Sequence, residues 1–175
     1  MTYRPNLIVS LLLAGVLGEL VFEAYAWLIS PLIFGLSLQP ANLVMALAGQ
    51  FANLSLPYAT AFVIHVLIGS LGFATVILLT KRVTGLGCRM AGALVGLGLW
   101  FVAQGILAPL IGRDFMMGFG AYTQSSSVAH VGMALVIGAV LQARLGGGHL
   151  TKRRCLHAMS ACRCHRAGLK YSAQR

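Results

Sequence analysis

The chain has 175 residues, of which 58% are hydrophobic and only 9% charged, and its mean hydropathy is +0.85. A domain of this size cannot hide that much apolar side chain in one core, and a water-soluble surface carries about a quarter of its residues charged, so the composition excludes an ordinary soluble enzyme or binding module. A formal charge of +10 would mark a nucleic-acid binder in a soluble protein, but the basic residues here sit at the ends of apolar blocks and in the C-terminal stretch, which fits membrane orientation instead.

The first apolar block covers residues 7–35. It is longer than the roughly 20 residues needed to cross the hydrocarbon, so the helix must tilt, bend or extend into the interface, and Pro31 is the natural place for a bend. The block also outruns the 7 to 15 apolar residues, roughly, of a secretory signal and carries Glu19 and Glu23, so it reads as a retained first span. Residues 37–57 hold no charge. Pro40, then Leu43, Val44, Leu47 and Phe51 at helical spacing, predict a short helix over 40–51 that lies in the interface or dips back into the protein. Gly49, Gln50, Asn53 and Pro57 interrupt any full crossing there.

The second span is predicted over 58–80, closed by Lys81 and Arg82, and the third over 90–111, closed by Arg113 and Asp114. The fourth is predicted over 126–143, just before Arg144. Residues 1–145 thus form one transmembrane domain, and 146–175, opening on three glycines, form a basic tail expected to be disordered and to contact anionic headgroups. Its Cys155, His157, Cys162, Cys164 and His165 resemble a metal set. Cys162 and Cys164, however, are one residue too close for a zinc knuckle, so reduced thiols are expected.

Arginine and lysine concentrate in cytoplasmic segments, and this fixes the expected orientation. With four spans, 12 of the 13 basic residues fall on one side, leaving only Arg113 opposite with Asp114 to neutralise it. The sequence therefore predicts an all-α, polytopic four-helix bundle in the cell inner membrane with both termini cytoplasmic. A shift of 78 residues matches Gly18 to Gly96, Pro31 to Pro109, Leu32 to Leu110 and Ile33 to Ile111, so LISPLI answers to ILAPLI. Spans two and four each carry a histidine, His65 and His130. Two duplicated helical hairpins account for this pattern, with convergence of ordinary membrane-helix composition as the alternative.

Five polar residues are predicted at membrane depth: Glu19, Glu23, His65, Gln104 and His130. Glu19 and Glu23, four apart, share a helix face, and Glu23, His65, Gln104 and His130 fall at one depth, each about a turn outward from the centre of its span. This layer allows an interhelical hydrogen-bond network serving packing alone, a proton or ion path with Glu19 as its inner step, or a bis-histidine haem or quinone site on His65 and His130. Gly92 and Gly96 have the spacing that brings two helix backbones together, within the chain or between copies. Trp27, Tyr58 and Tyr122 read as interface anchors, and Ser125, Ser126 and Ser127 as helix caps rather than members of a catalytic triad.

The segments HVLIGSLG from His65, HVGMALVIG from His130 and LWFVAQGILAPLIG before it resemble a group of small, uncharacterised bacterial inner-membrane proteins with four helices and histidine-bearing second and fourth spans. The resemblance covers about residues 7–143, excludes Glu19, Glu23 and the Cys/His tail, and brings no activity with it. No catalytic, cofactor or metal motif is read from the chain. The expectation is a non-enzymatic membrane protein, either a small transport component or an accessory subunit of a larger complex. An electron-transfer subunit holding haem or quinone between His65 and His130 is the alternative. The expected partners are membrane lipids and a homo-oligomer or larger membrane complex; nucleic acid is not expected.

Overall fold

In a hydrocarbon solvent every backbone N–H and C=O must find its partner inside the chain, and a helix achieves this within one segment. The computed structural model describes residues 6–145 and folds them as helices. Arg4 and the predicted tail, with its cysteines, histidines and basic residues, lie outside the described residues. The first helix, α1 (Leu7–Phe34), starts where the Asn6 side chain accepts from the Ile8 amide at 3.0 Å and ends at Gly35, whose φ of +69° suits a residue without Cβ. Next comes α2 (Ala41–Ala52), launched by Pro40 and stopped by Asn53 in the left-handed region. At about 1.5 Å per residue its 12 residues are too few to cross a bilayer.

Two further long helices are α3 (Tyr58–Thr84) and α4 (Cys88–Leu110). A 3-10 turn at Phe115–Phe119 leads into α5 (Ala121–Leu145). Four of these helices, α1, α3, α4 and α5, are long and apolar enough to span a membrane. Large side chains such as Leu20, Leu28, Leu32, Leu79, Leu94 and Leu97 point outward and exposed, an arrangement that lipid solvates and water does not. The molecule is a polytopic, four-helix, all-α membrane protein.

α5 starts at Ala121, earlier than the sequence predicts. Tyr122, Thr123, Gln124 and Ser125 look like a polar approach to the membrane, but Thr123 and Ser125 are buried and use their hydroxyls inside the fold, while Gln124 stays exposed. The buried Thr123 hydroxyl donates to the Met116 carbonyl, and Ser125 is fully buried against α1.

α5 packs along both α4 and α1, while α1 also packs on the middle of α3. A Cβ on Gly92 would collide with the Ala134 carbonyl, and one on Gly96 would sit 2.9 Å from the His130 carbonyl. The paired glycines therefore serve the α4–α5 contact within the chain. Phe22, Ile77, Met133, Ile137 and Leu141 fill the core between these helices.

Three of the spans are not α-helical throughout. A π turn occupies Tyr25–Ile29 in α1, Ile68–Phe73 in α3 and Val102–Leu107 in α4. In α1 and α4 the turn precedes a proline, Pro31 or Pro109, which cannot donate to the helix ladder. The Ser30 amide reaches back to the Tyr25 carbonyl and the Ala108 amide to the Ala103 carbonyl, the same five-residue bond repeated 78 positions on. The bend expected at Pro31 thus takes the form of a wide turn placed ahead of it. An α-helix sets residues five apart at about 140° to each other, whereas an i→i+5 turn brings them close to one face. Tyr25 and Ser30 accordingly both reach Ser125, the phenol at 3.2 Å and the hydroxyl at 2.7 Å.

Candidate functional site

Glu19 sits near the middle of α1 and is only 3% exposed. It is packed over Gly69 in the π turn of α3, where any Cβ would collide with its carboxylate. One turn further along α1, Glu23 points the same way, as the spacing of four requires. His65 faces both from α3: its Nε2 lies 3.2 Å from Glu19 Oε1 and 3.8 Å from Glu23 Oε1. The nearer approach is within ion-pair reach but is not aligned as a hydrogen bond, so both Glu19 oxygens, Glu23 Oε1 and His65 Nε2 are buried without a hydrogen-bond partner among the described residues. The other Glu23 oxygen, Oε2, accepts from the Trp27 indole at 2.8 Å. Trp27, expected as an interface anchor alone, also fixes the rotation of the Glu23 carboxylate.

Gln104 and His130 make a second group, on α4 and α5. The Gln104 amide donates to Ser126 Oγ at 3.4 Å, and Ser126 Oγ lies 3.3 Å from His130 Nδ1. His130 Nδ1 is also 2.8 Å from the Ser126 carbonyl. A carbonyl only accepts, so Nδ1 is the donor of this bond. Gln104 is 7% exposed and its Oε1 has no partner among the described residues. Ser126, expected as a cap, is instead a buried member of this group, inside α5 rather than at its start.

The five residues at membrane depth therefore do not close into one ring. Glu19, Glu23 and His65 meet between α1 and α3; Gln104, Ser126 and His130 meet between α4 and α5. The Phe22 ring touches both imidazoles, with centroids 5.5 Å from His65 and 5.4 Å from His130. His65 of the first group and all three residues of the second line a mainly apolar cavity of about 200 Å³ walled by the π turns of α3 and α4 and roofed by Leu43, Val44 and Leu47 of α2. Arg113 and Tyr122 stand at the same cavity.

This geometry bears on the expected chemistry. A bis-histidine haem needs two imidazoles presented to one iron across a flat slot, whereas here His65 is turned to the carboxylates, His130 Nδ1 is bonded to Ser126, and Phe22 packs on both rings. The cavity is also below the roughly 300–1,000 Å³ of pockets for drug-sized ligands, and a haem is larger than most of those. The arrangement suits a small cation at the carboxylates far better. Phe22, Trp27, Gly69 and Ser126 are the site residues that sequence reasoning did not place there. Trp27 was within reach of such reasoning, since it lies four residues from Glu23 on the same helix.

Fold and site together define a polytopic four-helix membrane protein with a carboxylate–imidazole cluster buried inside the bundle. Comparison with protein-family models, curated proteins and solved structures gives no match to this chain.

Proposed function

We propose that this chain is a non-enzymatic transport component of the inner membrane, with both termini cytoplasmic, in which Glu19, Glu23 and His65 receive a cation on its way through the bundle. The observation that carries the reading is Glu19, whose two oxygens are buried without a donor while His65 Nε2 stands 3.2 Å away. Holding an acidic residue at that depth costs about 2.5–3.5 kcal/mol on insertion scales, and here no hydrogen bond to Glu19 offsets the cost. A residue kept there for packing alone would be apolar or fully bonded. The adjoining cavity reaches the cluster on the side of His65 and Gly69, which line it. Kinship with the small four-helix inner-membrane proteins rests on the two histidine-bearing segments, and the cytoplasmic placement of the ends on the segregation of the basic residues.

The test is cation entry into vesicles reconstituted with the full chain, followed in parallel with a pH-sensitive and a divalent-sensitive dye under an inside-negative potential. Wild type should exceed empty vesicles in at least one channel, and the double variant E19Q/E23Q should return to their level. Equal entry in wild-type and variant vesicles removes the reading. Loss of the variant from the membrane, with wild type transporting nothing, would favour an accessory, structural role.

A further inference from the structure

The separations inside the cluster do not look like those of a hydrogen-bonded triad. A charge-assisted N–H···O bond is about 2.7–2.9 Å long and aligned, whereas His65 Nε2 stands 3.2 and 3.8 Å from the two carboxylate oxygens with no aligned bond to either. Ligands about 2.0–2.1 Å from a tetrahedral metal ion are about 3.4 Å from one another. The two observed distances bracket that edge, and one donor atom from each of Glu19, Glu23 and His65 falls within 4.8 Å of the others.

Charge points the same way. Two carboxylates this close in a low-dielectric interior repel each other, and a single divalent ion neutralises both while giving the unpartnered oxygens and Nε2 something to bind. The donor set, one imidazole and two carboxylates, suits first-row divalent metals over calcium or magnesium, which favour oxygen ligands throughout. The surroundings are built for ligation. Trp27 holds Glu23 Oε2 so that Oε1 faces His65, and Gly69 leaves room for the Glu19 carboxylate that any side chain would fill. Three protein ligands leave a fourth position for water or a passing group.

We propose that Glu19, Glu23 and His65 form an intramembrane binding site for a divalent transition-metal ion, with Trp27 as a positioning residue. This deepens the transport reading by naming the class of cation, and the site is tested without any flux.

Mn2+ is the probe, because it takes carboxylate and imidazole ligands and not the thiolates of Cys155, Cys162 and Cys164. Titration of the detergent-solubilised full chain, followed by loss of the free Mn2+ resonance signal, should show one ion per chain, displaced by Zn2+. E19Q, E23Q and H65Q should each weaken binding, and W27F should weaken it about 10- to 100-fold through the orientation of Glu23 alone. Each variant is checked for wild-type elution by size exclusion, and a triple serine variant of the three tail cysteines should bind Mn2+ as wild type does. No ion on folded wild-type protein, or binding retained in folded E19Q or H65Q, overturns the proposal. Bound Mn2+ without cation entry into vesicles would keep the site and remove transport; Glu19-dependent entry of protons with no bound metal would do the reverse.

Discussion

Glu19 and His65, on neighbouring spans, approach to 3.2 Å without forming an aligned hydrogen bond, and the Glu19 carboxylate has no hydrogen-bond partner among the described residues. A pair retained for stability would close this gap. One retained to hold something between its members would not.

If so, Glu19 is a liability to the fold. Replacing both partners, Glu19→Met with His65→Leu, removes two unpartnered buried oxygens and the imidazole that faces them and should stabilise the detergent-solubilised protein by about 1–3 kcal/mol, read as a raised thermal midpoint in metal-free buffer. A lowered midpoint would show that the pair supports the bundle.

The glycines of α4 separate by face. Gly92→Val should destabilise the bundle by about 1–3 kcal/mol, because its side chain meets the Ala134 carbonyl and backbone cannot yield as a side chain can. Gly98→Ala has nothing within 4 Å of the added Cβ and should be neutral or stabilise by up to about 1 kcal/mol. Thermal unfolding of the two variants side by side checks the contrast.

Ser126 bridges Gln104 and His130 through contacts of 3.4 and 3.3 Å, long for hydroxyl hydrogen bonds, while His130 keeps its 2.8 Å bond to the Ser126 carbonyl. Ser126→Ala should therefore cost less than about 1 kcal/mol, also by thermal unfolding. A larger loss would mean that Ser126 anchors the α4–α5 group.

Orientation rests on the basic residues. A reporter fused after Arg175 should be active only in its cytoplasmic form, and neutralising Lys81, Arg82 and Arg89 together should produce a mixed population of orientations. An external C-terminus in the unaltered chain would reverse the assignment.

The sequence reading reaches depth along each helix and stops at rotation about its axis. Hydropathy marks four apolar blocks, and Pro40 marks the start of the short helix, because solvent preference and proline geometry are local properties. Depth alone made a single layer of Glu23, His65, Gln104 and His130. Which pairs meet depends on the azimuth of each span, which the packing of the helices sets and hydropathy does not record; of the four, only Gln104 lies within a π turn. Ser126 was hidden for a different reason. The polar run Tyr122 to Ser125 looked like the water side of the membrane, while in the fold Thr123 and Ser125 bond to the 3-10 turn and to α1.

Each π turn also makes its helix a spliced object. The stretch before Tyr25 and the stretch after Ile29 are phased separately, so Glu19 and Glu23 can face α3 while Ser30 meets Ser125 on α5. Losing one residue from Tyr25–Ile29 would leave a plain α-helix in which Ser30 follows Tyr25 by four and keeps its facing, whereas straightening the turn with every residue retained would swing the far end by about 100°. Straightening the α1 turn at unchanged length, more than deletion within it, is the route by which such a bundle could trade one neighbour for another and leave the buried cluster untouched.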